Sequence, residues 1–130
     1  MIVDTNVLVR VMQGHERATR KLAELEGQSV RLTLLAVSLF ELYHSVEQVH
    51  NPVERRRQIE AVLDSKPTYP ADDAVMKKAG RIDGRLTADD RTIGMGDTVI
   101  GATALVHEEP VFTENVDHFE RIDGLEIESY

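Results

Sequence analysis

Short apolar runs alternate with longer amphipathic stretches along the whole chain. Met1 to Val3 form an apolar run that Asp4, Thr5 and Asn6 end abruptly. This reads as a buried strand followed by a helix start, because Asp, Thr and Asn all accept the free N–H groups of a first helical turn. The segment NVLVRVM continues as a short helix, and ERATRKLAELEG as a second, with Gly27 in the position just past its end. SVRLTLL is rich in strand formers, and SLFELYHSVEQVH has helical spacing from Ser38 or slightly earlier. Asn51-Pro52 supplies a cap and a first helical residue for VERRRQIEAVLDS. A weak third strand, PTYP, is fenced by Pro67 and Pro70. Val75, Ala79, Ile82 and Leu86 then set a helical stripe, and a glycine-containing turn leads to the small, apolar helix DTVIGATALVHEE. PVFT is a fourth strand, VDHFERI a short helix and LEIES a fifth, half-exposed strand. Strands separated by helices need crossover connections, so the pattern predicts one α/β domain over residues 1–130. Its sheet has about five mostly parallel strands with helices on both faces.

Composition narrows the function classes. A chain of 130 residues, 42% hydrophobic and 29% charged, is that of a folded domain rather than a disordered segment. With no cysteine, disulfides and thiolate metal sites are excluded. No run approaches the roughly 18 apolar residues of a membrane helix, and no signal-peptide pattern precedes the first strand. The expectation is a cytoplasmic protein with no membrane association. A net charge of −8 argues against a general electrostatic hold on nucleic acid. Local basic groups exist nonetheless: Arg55 to Arg57, Arg10 with Arg17, Arg20 and Lys21, and the pair Arg81 and Arg85 one turn apart.

Three acids fall where the pattern is otherwise apolar. Asp4 ends the first strand, Glu41 interrupts VSLFELY, and Asp97 opens the most apolar helix. Neither Glu41 nor Asp97 has a Lys or Arg within five residues. A buried carboxylate is costly without a partner, and one divalent ion would compensate all three. Oxygen ligands suit a hard cation such as Mg²⁺, with Mn²⁺ as substitute. Structural roles compete at this level: Glu41 on a solvent-facing helical edge, and Asp97 as a helix cap. Other chemistries find little support. His15, His44, His50, His107 and His118 show no paired metal spacing, there is no G-x-S-x-G elbow, and IGMGD lacks the residues of a phosphate loop.

Four segments in order, MIVDTNVL, LLAVSLFELYHS, IGMGDTVIGATAL and VFTENVDHFERIDGLEI, resemble the successive motifs of PIN-domain ribonucleases. The chain is most similar, within that family, to VapC-like toxins of type II toxin–antitoxin pairs. The resemblance implies a PIN-like domain in which Asp4, Glu41 and Asp97 hold Mg²⁺ or Mn²⁺ for RNA hydrolysis. Where the family often carries T-x-D, this chain has Thr113-Glu114-Asn115, an amide in place of the fourth acid. Thr113 is then expected to orient water or a carboxylate. Asp117 either reaches a second ion through water or caps the short helix that follows. The implied partners are an RNA substrate, a VapB-like antitoxin and a second copy of the chain, with SLFELYHSVEQV and RRRQIEAVL as candidate dimer helices. Rival readings are a catalytically weak PIN-like module that binds RNA or a partner, and a housekeeping RNA-processing nuclease. A phosphatase using Asp4 as nucleophile would want a second acid where Asn6 stands.

Overall fold

A computed structural model describes residues 1–64 and 66–130. Its sheet has five short strands, β1 (Ile2–Val3), β2 (Leu34–Leu35), β3 (Thr68–Tyr69), β4 (Val111–Phe112) and β5 (Ile127–Glu128). β1, β4 and β5 pair in that order, and β2 pairs with β3. A parallel bridge between Ile2 and Thr33 joins the two sets. Val3 N–H donates to Thr33 O at 3.0 Å, and Thr33 N–H to Met1 O at 2.9 Å. The resulting order is β3-β2-β1-β4-β5, and every ladder is parallel, as the strand–helix alternation requires.

The period of two along a strand sorts the core into two layers. Val3, Leu34 and Phe112 point to one face. There they pack with α1 (Thr5–Met12), α2 (Glu16–Gly27), α3 (Ala36–Val46) and α4 (Pro52–Leu63), through Val7, Leu8, Leu22, Leu42 and Ile59. Ile2, Leu35 and Val111 point to the other face. That face is covered by α5 (Asp73–Ala88), α6 (Met95–His107) and the one-turn α7 (Val116–Phe119), through Leu86, Ile100, Ala104 and Phe119. Residues Thr98 to Ala104 of α6 are all buried, which explains their small, apolar character. A Cβ on Gly101 would collide with Ile122 Cδ1, so the segment after α7 packs directly against that backbone.

Local chemistry sets the helix ends. Asn51 Oδ1 accepts from Glu54 N–H at 3.1 Å, with Pro52 at the first helical position. The last residue expected in this helix, Ser65, lies outside the described residues. Gly27 does not close α2 from beyond; it is the helix's final residue. The left-handed position falls on Ser29 (φ 61°), where Ser29 N–H bonds Glu26 O and Val30 N–H bonds Leu25 O, both at 3.1 Å. The five-residue reach of the second bond, set by where Val30 enters the core, decides the cap. α5 and α6 close in the same way on Asp90 and Glu108.

Of the two stripes expected to serve a dimer, that of α4 turns inward: Ile59 is fully buried, and Val62 and Leu63 pack against the core. Phe40 and Tyr43 of α3 point out, as do Met76 of α5 and Met95 of α6. Among the described residues, no helix is long and apolar enough to cross a membrane.

Candidate active site

The parallel register of β1 with β4 pairs Val3 with Phe112, so the residues that follow, Asp4 and Thr113, emerge side by side at the carboxyl edge of the sheet. Open α/β sheets place ligand-binding groups at this edge. Asp4 N–H donates to Phe112 O at 2.9 Å. Thr113 Oγ1–H donates to Asp4 Oδ2 at 2.7 Å, and both residues are buried. The Thr113 hydroxyl also accepts from Asn115 N–H at 2.9 Å, so one side chain fixes the acid and the loop beyond β4.

Asp4 stands at the N-cap position of α1, where its carboxylate lies near the Asn6 N–H without a cap bond of full geometry. With 1% of the residue exposed, burial pushes its pKa up to about 6. The hydrogen bond from Thr113 and the Asn6 N–H oppose the rise; the nearby charges of Asp97 and Glu41 add to it. A buried acid in the field of two others, with no basic group acting on it among the described residues, is poorly stabilised by its surroundings.

Glu41 reaches the same edge from α3. Its side chain is exposed, as the solvent-edge reading expects, but it is tethered: the Thr5 hydroxyl lies 3.0 Å from Glu41 Oε1 and 2.8 Å from the buried Ser38 hydroxyl. Opposite it stands Gly96 in the first turn of α6, where a Cβ would come within 3.3 Å of Glu41 Oε2. A glycine at this point lets the helix start approach the carboxylate. Asp97 does not cap α6; Gly94, at φ 93°, holds the cap position and is a backbone conformation that side chains resist. Freed from capping, Asp97 points to the loop after β4. Its Oδ2 lies 3.3 Å from Asn115 Nδ2 and 2.9 Å from His118 Nδ1, and those two atoms are 2.8 Å apart.

The structure therefore brings Asp4, Glu41, Asp97, Thr113 and Asn115 to one edge of the sheet. Asp117, one residue into α7, is exposed and joins none of these groups by a hydrogen bond among the described residues. Among those residues, too, no three His, Cys, Asp or Glu side chains converge closely enough to hold an ion by themselves. The donors present are carboxylate, amide and hydroxyl oxygens with one imidazole. An ion seated here would complete its shell with water, as Mg²⁺ ordinarily does. The surplus of buried negative charge at Asp4 is the feature such an ion fits.

His118 is the residue that sequence reasoning passed over. The signal was present in its spacing: three positions after Asn115, it lies on the same side of a one-turn helix. Arg10, near the site in sequence, is held by Glu114 through contacts of 3.0 and 3.1 Å to its two oxygens, and Tyr130 OH adds a third bond at 2.6 Å. A different basic group, Lys78, Arg81 and Arg85 of α5 with Arg121, lines a cleft between α5 and the segment after α7.

This arrangement, three acids gathered at the carboxyl edge of a five-stranded parallel sheet, defines an α/β domain of the PIN type. The chain belongs to the PIN domain family, which it matches over residues 1–125. It is 30% identical to Ribonuclease VapC1 of Rickettsia felis, an alignment covering 98% of this chain and 93% of that protein. It is 24% identical to the tRNA(fMet)-specific endonuclease VapC of Shigella flexneri, over 99% and 96% of the two chains. In three dimensions it resembles a chain of VapBC2 from Rickettsia felis, solved bound to a promoter DNA fragment. That likeness has a TM-score of 0.89 at 19% identity and covers 99% of this chain and 97% of that one.

Proposed function

We infer that this protein is an endoribonuclease, dependent on a divalent cation, and the toxin of a VapBC-type pair. The observation that carries the reading is Asp4: a buried carboxylate with a raised pKa, held by Thr113 within the field of two further acids, Asp97 and Glu41. Asp4 and Asp97 are the residues that would hold Mg²⁺ or Mn²⁺, with Glu41 as third ligand or as the group that orients water. When bound, such an ion acidifies the attacking water and offsets charge developing on the phosphoryl oxygens. Thr113 keeps Asp4 in one orientation, so the carboxylate need not reorganise as an ion or substrate arrives. Thr5 does the same for the exposed Glu41. Asn115 contributes a neutral oxygen or an N–H where a carboxylate would add charge, which lowers the negative field that RNA must enter.

The relatives named as ribonucleases support the reaction class, and the Shigella relative makes tRNA the first substrate to try. The solved neighbours include toxin–antitoxin complexes, which supports a VapB-like antitoxin as partner. The outward Phe40 (74% exposed) and Met95 (73%) offer an apolar surface for a second copy of the chain. One observation favours a second reading, a PIN module that binds RNA without cutting it: Asn115 stands where the family often has an acid. The two separate in one assay. Purified protein incubated with tRNA and Mn²⁺, Mg²⁺ or chelator should cleave only with metal, and Asp97→Asn should abolish cleavage. Tight RNA binding without cleavage under any ion would give the second reading the site.

A further inference from the structure

We propose that Asp97, Asn115 and His118 form one face of the metal site. Their imidazole nitrogen would bias the site toward a first-row transition ion over Mg²⁺. The inference rests on the reading of these acids as a metal centre, but not on RNA being the substrate.

The geometry is a closed triangle. Asp97 Oδ2, the Asn115 amide and His118 Nδ1 are separated by 3.3, 2.8 and 2.9 Å. Hydrogen atoms cannot satisfy all three edges. The carboxylate only accepts, so both neighbours would have to donate to it, and then the Asn115–His118 edge holds two donors facing each other. Turning the Asn115 amide over leaves two oxygens facing instead, and leaving Nδ1 bare sets its lone pair against the carboxylate. Each arrangement leaves one edge unsatisfied.

A cation would satisfy the triangle at once. With the amide turned to present Oδ1 and Nδ1 bare, Asp97, Asn115 and His118 would hold it through one carboxylate oxygen, one amide oxygen and one imidazole nitrogen. This face also accounts for Asn115: a neutral oxygen beside an imidazole holds an ion without the fourth negative charge. The donor set is no longer all oxygen. Imidazole suits the later first-row ions, and affinity for a mixed N and O site rises from Mn²⁺ through Co²⁺ to Ni²⁺. Mg²⁺ gains little from a nitrogen ligand and gives up its waters reluctantly.

His118 is 37% exposed at its side chain, so its truncation leaves the core intact. The test uses the full-length protein, wild type and His118→Ala. In the Mn²⁺-loaded form, pulsed electron paramagnetic resonance should detect a directly bound nitrogen in the wild type and none in the variant. Calorimetric titration should show the preference for Co²⁺ over Mg²⁺ falling about ten-fold or more in His118→Ala. Mn²⁺ bound without a nitrogen signal, an unchanged Co²⁺ to Mg²⁺ ratio, or no binding of any of these ions would each overturn the proposal. Failure of the nuclease reading has a different signature: a nitrogen-coordinated ion in a protein that cuts no RNA.

Discussion

Asp4→Asn is expected to stabilise the metal-free protein while removing its response to metal. In the fold the Asp4 carboxyl titrates at about 6, against 3.8 in an unfolded chain. Because the folded value is the higher one, the native state prefers the protonated acid. The fold therefore bears no penalty below about pH 3.8; the penalty grows as pH rises and is complete above about pH 6. A displacement of that size corresponds to about 3 kcal/mol. Asparagine removes the charge and keeps the contact, since its Oδ1 can accept the Thr113 hydroxyl that Asp4 Oδ2 accepts at 2.7 Å. Urea unfolding in chelator at pH 7.5 should show the variant more stable by about 2–3 kcal/mol, with a melting temperature higher by on the order of 5–10 °C. Near pH 4 the two proteins should converge. Added Mn²⁺ should raise the stability of the wild type and leave the variant where it was. A variant less stable than wild type in chelator at pH 7.5 would refute the reasoning, because the protein itself would then be compensating the buried charge.

Three further outcomes follow from particular contacts. Thr113→Val deletes the hydroxyl that bonds both Asp4 and Asn115 N–H, so about 1–3 kcal/mol of stability should be lost in denaturant titration at pH 7.5, together with most RNA cleavage. Glu108→Gly relieves a left-handed residue (φ 53°) at the end of α6 and should raise stability by about 1 kcal/mol in the same assay. Arg81→Ala combined with Arg85→Ala, on the cleft that also holds Lys78 and Arg121, should weaken RNA binding and flatten its dependence on salt concentration, measured by fluorescence anisotropy at several ionic strengths. Unchanged affinity in that double variant would place the RNA track elsewhere.

Much of the architecture was legible in the residue pattern because burial is periodic. The run Ile2–Val3 is the buried strand its apolar character predicts, and of the helical stripe Val75, Ala79, Ile82 and Leu86 all but the half-buried Ile82 are buried. Asn51-Pro52 caps its helix through a contact three residues long, which is local and therefore visible in sequence. The end of α2 was misplaced because glycine is only one way to close a helix. Ser29 takes the left-handed position, since Val30 must enter the core just there.

For the site, the residue order was enough to single out the three carboxylates as candidates. Asp4, Glu41 and Asp97 are conspicuous because each interrupts an apolar run, and a charge that is buried demands compensation; Asp4 is buried, whereas Glu41 is exposed. Tertiary structure alone decided what each acid does. Asp4 is buried and bonded by Thr113 across the sheet, Gly94 and not Asp97 begins α6, and Arg10 is taken by Glu114. It also brought His118 within 2.9 Å of a residue 21 positions earlier. The physical reason is one of range. Burial preference and helix spacing act over a few residues and are written in the order of side chains. Hydrogen bonds between the edge of β4 and the start of α6 depend on directions to a fraction of an ångström, set only when the sheet and both its layers have packed.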